Sequence, residues 1–281
     1  MKILWTVNLI PSIASKSLNI NSDVLGGWVE SMATRLKEYP DVELAIACKT
    51  EKSNSFDKVI DGIRYFSLGY DSKTELSELE NTCKDIVMKY KPDVIQVEGT
   101  EFLHAKAMLN VGNGMNIPTV VSLQGILNGQ YQYQCGQLQI DDMMFCSSIK
   151  KIFTAWILHL RKTRWFKPRM KTERETIAKA KFLIGRTTWD RAHSYKLNPD
   201  AKYFTCHRIL RAPFYEYDWD INKIEKHSLY VGNGYYALKG VQYVIEALPE
   251  LIREYPDIKL YVAGVKPFEK NDKRPFYKKG Y

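Results

Sequence analysis

One pattern occurs twice in this chain and constrains its fold more than any figure of composition. Residues 36–47 read Leu-Lys-Glu-Tyr-Pro-Asp-Val-Glu-Leu-Ala-Ile-Ala, and residues 252–263 read Ile-Arg-Glu-Tyr-Pro-Asp-Ile-Lys-Leu-Tyr-Val-Ala. In each copy an amphipathic helix stops at a Tyr-Pro-Asp turn and a β-rich run follows. Proline and aspartate there end a helix and start a turn. Glycine stands at the start of both helices: Gly26-Gly27 in the first, Gly240 in the second. An apolar run precedes each glycine-bearing loop, over residues 3–9 and 228–232. Strand, loop, helix, turn, strand is therefore written twice.

Two such units predict an α/β protein with two Rossmann-like halves and a ligand held at helix N-termini. Between the copies the periodicity supports this. Helices are expected over 26–36, 75–90 and 102–111, strands over 44–48, 60–66, 94–97, 119–123, 182–184 and 203–205, and a polar loop over 11–23. Alternation of this kind means a parallel sheet covered by helices.

The 281 residues, 45% hydrophobic and 26% charged, suit a globular chain of one or two domains. The expected division is an N-terminal domain over 1–210 and an incomplete second domain over 211–281. Five scattered cysteines without a Cys-x-x-Cys spacing read as reduced thiols of a cytoplasmic protein. The apolar start of the chain is short, broken by Asn8 and ended by Pro11, so it reads as a buried strand and not a signal peptide. No apolar run approaches the ~18 residues that span a bilayer. A net charge of +9 is compatible with anionic partners.

In parallel sheets ligands bind beyond the carboxyl ends of strands. The loops there carry Glu98-Gly99-Thr100-Glu101, Gln124-Gly125, Gly185-Arg186-Thr187 with Trp189-Asp190-Arg191, and Gly232-Asn233-Gly234 leading to Lys239-Gly240. Together with Gly26-Gly27, Pro92-Asp93-Val94-Ile95, Ile209-Leu210-Arg211 and Phe214-Tyr215, these segments resemble family 4 glycosyltransferases, in a branch associated with bacterial capsule and exopolysaccharide synthesis. The resemblance covers nearly the whole chain. It implies the GT-B architecture, with an acceptor-side N-terminal domain and a C-terminal domain for the nucleotide-sugar. It also implies transfer with retention of configuration, without a metal or cofactor.

On that resemblance, Gly26, Gly27, Asn233, Gly234, Lys239 and Gly240 are the donor-phosphate candidates, and Glu98, Thr100, Glu101, Gln124 and Arg186 the acceptor or sugar candidates. No catalytic residue is assigned. Each has a plainer alternative. The glycines also suit a tight turn, and Lys239 a solvated position. Thr100 also suits a helix cap with Glu101 in the first turn. The family often has an arginine near Asn233 and a histidine at Gln124. Glutamine hydrogen-bonds a sugar but is no general base at neutral pH. His104 reads as structural. Family members extend about a hundred residues further, with a pair of donor-binding glutamates, so the expectation is a second domain too short for activity by itself.

Residues 149–171 set an apolar stripe (Ile149, Ile152, Phe153, Trp156, Ile157, Leu160) beside eight basic residues, with no acid before Glu173. That pattern suits an interfacial helix on an anionic membrane and a lipid-linked glycan acceptor. It equally suits a helix packed on the sheet. No nucleic-acid motif accompanies it, and no G-x-G-x-x-G follows the first strand, which argues against a nicotinamide enzyme. The alternative function is a non-catalytic acceptor- or membrane-docking module.

Overall fold

The computed structural model describes residues 1–20, 27–133, 153, 156–157, 160, 162–234 and 237–263. Its main sheet has eight strands: β1 (Lys2–Val7), β2 (Glu43–Cys48), β3 (Asp57–Ile60), β4 (Ile63–Ser67), β5 (Val94–Glu98), β6 (Thr119–Ser122), β7 (Phe182–Gly185) and β8 (Lys202–Thr205). Their spatial order is β3-β4-β2-β1-β5-β6-β7-β8, and only the β3–β4 pair is antiparallel. β1 lies between β2 and β5, in register Leu4 with Ala45 on one side and Leu4 with Ile95 on the other. The chain runs outward from β1 in one direction, then returns and runs outward in the other. That reversal is the switch point of an open Rossmann-like sheet.

The helices follow from the period of the apolar residues. In α3 (Leu76–Tyr90) the buried positions are Leu79, Cys83, Ile86, Val87 and Tyr90, a spacing of three and four. Lys91 ends this helix in the left-handed conformation and Pro92 prevents its continuation. With α4 (Leu103–Gly114) and α6 (Lys167–Lys179), α3 covers the sheet face that carries Leu4, Ala45, Ala47, Ile95, Val97, Val121 and Leu183. Trp5, Val7, Ile46, Cys48 and Tyr65 point the other way, onto α1 (Ser12–Ser17) and α2 (Gly27–Lys37). The alternation of Leu4 and Trp5 is the two-residue period of a strand. Each fully buried Leu or Ile contributes about 1.5–3 kcal/mol. Gly112 lets α4 come close to the sheet: a Cβ there would fall 3.3 Å from Ile95 Cδ1 and strike Thr119.

Two sequence expectations are corrected. The loop over 11–23 contains α1, whose start is fixed by Pro11. The strand over 60–66 is a hairpin, turning at Asp61 (φ 49°) and Gly62 (φ 76°). Two positive φ values make the tight hairpin turn that Asp-Gly favours. Bidentate contacts of 2.8 and 2.9 Å from Arg64 to Asp57 brace the edge strand.

Between β6 and α6 lies the short α5 (Leu127–Gln130); α7 (Thr188–Leu197) joins β7 to β8. The chain divides into two compact units, residues 1–129 with 168–217, and residues 130–167 with 218–281. In the second unit β9 (Ser228–Val231) pairs in parallel with β10 (Lys259–Val262), and α8 (Val241–Glu254) connects them. Gly240, at φ 78°, turns the chain into α8. Val241 is buried, whereas Ile245 and Ile252 are about half exposed at 46% and 48%.

Candidate functional site

The carboxyl edge of the first unit gathers polar groups that the sheet holds in fixed positions. Glu98 ends β5 and is buried. Its Oε1 accepts a 2.6 Å hydrogen bond from Gln96 Nε2, two residues earlier on the same strand face. Its Oε2 meets Arg208 at 3.2 Å. The Arg208 guanidinium in turn sits 3.2 Å from the ring centroid of Trp28, in the first turn of α2. Burial pushes the Glu98 carboxyl up, and Arg208, Gln96 and their neighbours only partly oppose it. Burial pushes Arg208 down to about 10, and the facing Glu98 carboxylate opposes that shift.

Arg186 follows β7 and donates to the carbonyls of Gln124 (3.0 Å) and Leu123 (3.4 Å) after β6. A cavity of about 40 Å³ lies here, lined among others by Gln96, Ser122, Arg186, Cys206 and Arg208. The next turn is held by Asp190, which accepts from the Arg186 N–H (3.0 Å) and the Tyr203 hydroxyl (2.5 Å). Thr187 and Asp190 also close a capping box on α7. Burial would raise the Asp190 carboxyl, but these donors outweigh it and hold it low.

Thr100 does not cap α4; the cap position is Phe102, without a side-chain cap bond. Its hydroxyl donates instead to Glu173, on α6, at 3.2 Å. The same buried carboxylate accepts from the N–H groups of Leu127 and Asn128, both at 2.8 Å, and from Asn128 Nδ2 at 2.7 Å. Glu173 thus ties the loop after β5 to the start of α5. The Glu101 carboxylate accepts from the Thr100 N–H at 3.2 Å, and burial pushes its pKa up.

So Glu98, Thr100, Glu101, Gln124 and Arg186 all stand at one sheet edge, on consecutive strand-following loops. Gly27 opens α2, where an added Cβ would come within 2.9 Å of Arg211 Cδ. Gly26 lies outside the described residues. Asn233, Gly234, Lys239 and Gly240 belong to the second unit, between β9 and α8. Gly234 donates its N–H to the Ala263 carbonyl at 3.0 Å, and Lys239 closes the short turn before Gly240. Most of 149–171 also lies outside the described residues. Within it, Phe153 and Trp156 are exposed with rings 5.9 Å apart. Among the described residues no helix is long and apolar enough to cross a membrane, and no group of three or more His, Cys, Asp or Glu is placed to hold a metal.

No protein-family model matches the chain, and no curated protein matches it in sequence. Solved structures of similar fold include UDP-GlcNAc 2-epimerases, enzymes of GT-B fold. The Neisseria meningitidis enzyme, solved with UDP-GlcNAc, is 12% identical, with a TM-score of 0.47 over 95% of this chain and 66% of its own. The Methanocaldococcus jannaschii enzyme is 13% identical, with a TM-score of 0.49 over 99% of this chain and 67% of its own. The chain thus spans about two thirds of their length. The fold assignment rests on the strand order and registers given above.

Three residues central to this edge were not singled out by sequence: Arg208, Trp28 and Glu173. Arg208 is one of 41 basic residues, and only its distance to Glu98 distinguishes it. Glu173 carried a signal, as the first acid after a long basic run.

Proposed function

We propose that this chain belongs to a glycosyltransferase that moves a sugar from a nucleotide-sugar donor to a surface-glycan acceptor. Transfer is with retention of configuration and without a metal. Residues 1–210 form the acceptor side, and 211–281 belong to the donor-binding side. Glu98, Thr100, Glu101, Gln124 and Arg186 meet the acceptor or the sugar. Gly26, Gly27, Asn233, Gly234, Lys239 and Gly240 meet the donor phosphates, where backbone N–H groups and a lysine offer charge-assisted hydrogen bonds. The protein works in the cytoplasm, at the inner face of the membrane, through residues 149–171.

The observation that carries this reading is the convergence of the motif residues. Loops far apart in sequence, after β5, β6 and β7, bring Glu98, Gln124 and Arg186 to one edge of the sheet. Preorganised donors and cations of this kind stabilise a departing diphosphate. Calorimetry with UDP-, GDP- and ADP-sugars tests it. Binding of one nucleotide class, lost on substituting Lys239, is the expected result; no binding to any of them refutes it.

A further inference from the structure

The segment Trp189-Asp190-Arg191 closely follows Arg186, yet the proposed site gives its tryptophan no role. Trp189 lies in the first turn of α7, between Thr187 and Asp190, the two residues of the capping box. Asp190 is tied to the Arg186 N–H at 3.0 Å and to the Tyr203 hydroxyl at 2.5 Å, so the backbone that carries Trp189 is fixed. The residue itself stays open to water, with 41% of it exposed. That is apolar ring surface standing at the carboxyl edge of the sheet, where ligands of such folds bind.

The ring does not swing freely. Trp189 meets the His193 imidazole at a centroid distance of 4.5 Å, with the planes tilted by 52°. At Gly129, in α5, a Cβ would fall 2.6 Å from Trp189 Cζ2 and 3.0 Å from His193 Cε1. Gly129 therefore packs against the six-membered ring of the indole, with His193 beside it, and its lack of a side chain is what permits the approach. Glu173 holds the start of α5 through the N–H groups of Leu127 and Asn128, both at 2.8 Å. The loops after β6 and β7 thus clamp one end of an indole that is otherwise well exposed. Among the described residues neither the Trp189 indole N–H nor the His193 imidazole has a hydrogen-bond partner.

An apolar ring with an unused N–H at its edge matches one ligand chemistry closely. A pyranose chair carries C–H groups on its faces and hydroxyls around its rim. The C–H groups stack on an aromatic face, and the hydroxyls take hydrogen bonds at the edge. A ring already held in place loses little freedom when the sugar arrives. From this geometry we infer that Trp189 is a stacking platform for a pyranose ring of the acceptor glycan, with the indole N–H and His193 hydrogen-bonding its hydroxyls. The inference rests on the acceptor-side reading of the first unit. It adds to that reading a specificity-determining residue and a ligand form, a six-membered sugar ring that presents an apolar face.

Fluorine NMR of the full chain labelled with fluorotryptophan tests this, the resonance of residue 189 being the one missing from Trp189→Phe. The titrants are the methyl pyranosides of glucose, galactose and mannose, and sorbitol, which has the hydroxyls without the ring. At least one pyranoside is expected to shift the Trp189 resonance saturably, and sorbitol not to. Trp189→Ala is expected to weaken binding of that pyranoside, followed by ligand-observed NMR, about tenfold or more. Trp189→Phe keeps a ring face and is expected to lose less. Gly129→Ala keeps the indole but displaces it, and is expected to weaken binding too. A Trp189 resonance that no pyranoside moves overturns the platform, as does an equal response to sorbitol or an unchanged affinity in Trp189→Ala. UDP, GDP and ADP are titrated separately. Nucleotide binding without a pyranoside response at Trp189 removes the platform and leaves the nucleotide-sugar reading. Trp189-dependent pyranoside binding without binding of any nucleotide leaves the platform standing and removes that reading.

Discussion

Arg208 and Trp28 are 180 positions apart in sequence, yet the guanidinium carbon of one lies 3.2 Å from the ring centroid of the other. The contact holds Arg208 where it neutralises the buried Glu98, joining the start of α2, the end of β5 and the segment after β8.

Arg208→Ala leaves Glu98 buried and unpaired, and breaking such a pair costs ~3–5 kcal/mol. Its pH dependence has a definite sign. The folded-state pKa of Glu98 is raised, so its ionisation opposes folding above that value, and the cost is relieved as pH falls toward the unfolded pKa. Without Arg208 the shift grows. The stability deficit of Arg208→Ala, measured by urea unfolding, is therefore largest at neutral pH and shrinks in acid. A deficit independent of pH would mean that Arg208 acts by packing alone.

His104 is fully buried, and burial pushes its pKa down to about 3, below the ordinary histidine range. A group with a depressed folded pKa binds fewer protons folded than unfolded. The stability it contributes is complete above the unfolded pKa and is lost as pH falls from there toward 3. Wild-type unfolding free energy should fall about 1.4 kcal/mol per pH unit more steeply than that of His104→Gln in this window. Parallel slopes would rule out a buried neutral imidazole.

Glu173 accepts four hydrogen bonds, and glutamine in its place turns one acceptor oxygen into a donor facing other donors. Glu173→Gln is expected to destabilise by ~2–4 kcal/mol. Amide exchange at Leu127 and Asn128 should accelerate before that of β5. Uniform acceleration across the first unit would show that the carboxylate does not act locally.

The proposed role of Lys239 predicts that Lys239→Ala weakens nucleotide-diphosphate binding by ~1–3 kcal/mol. An unchanged dissociation constant removes it from the site.

Membrane docking through 149–171 predicts binding to vesicles that requires anionic lipid and declines with added salt. Indifference to anionic vesicles at low salt would assign the apolar stripe to packing inside the protein.

The architecture was legible where period and punctuation agree. The Lys91-Pro92 stop and the spacing of Leu79, Cys83 and Ile86 place α3 within a residue of its observed bounds. The Asp61-Gly62 hairpin was missed, because the apolar residues on both sides of it read as one strand. The site was legible only as a set of loops. That Glu98 finds Arg208, that Thr100 serves Glu173 instead of capping α4, and that Trp189 packs on Gly129 are tertiary facts. They depend on which strands become neighbours, and nothing local in the sequence encodes that.

The central position of β1 has a consequence for synthesis. Its two flanks close on residues made much later: Ile3 pairs with Leu44 on one side and Val94 on the other. At the usual ~5–20 residues per second, the ribosome needs roughly 5–20 s after making Ile3 to supply the second partner. Until then Leu4, Trp5 and Val7 belong to a nascent segment that lacks its second neighbour. The strand that organises the finished sheet is thus among the first made and waits longest for its second neighbour, and chaperones that hold nascent chains have their longest window there.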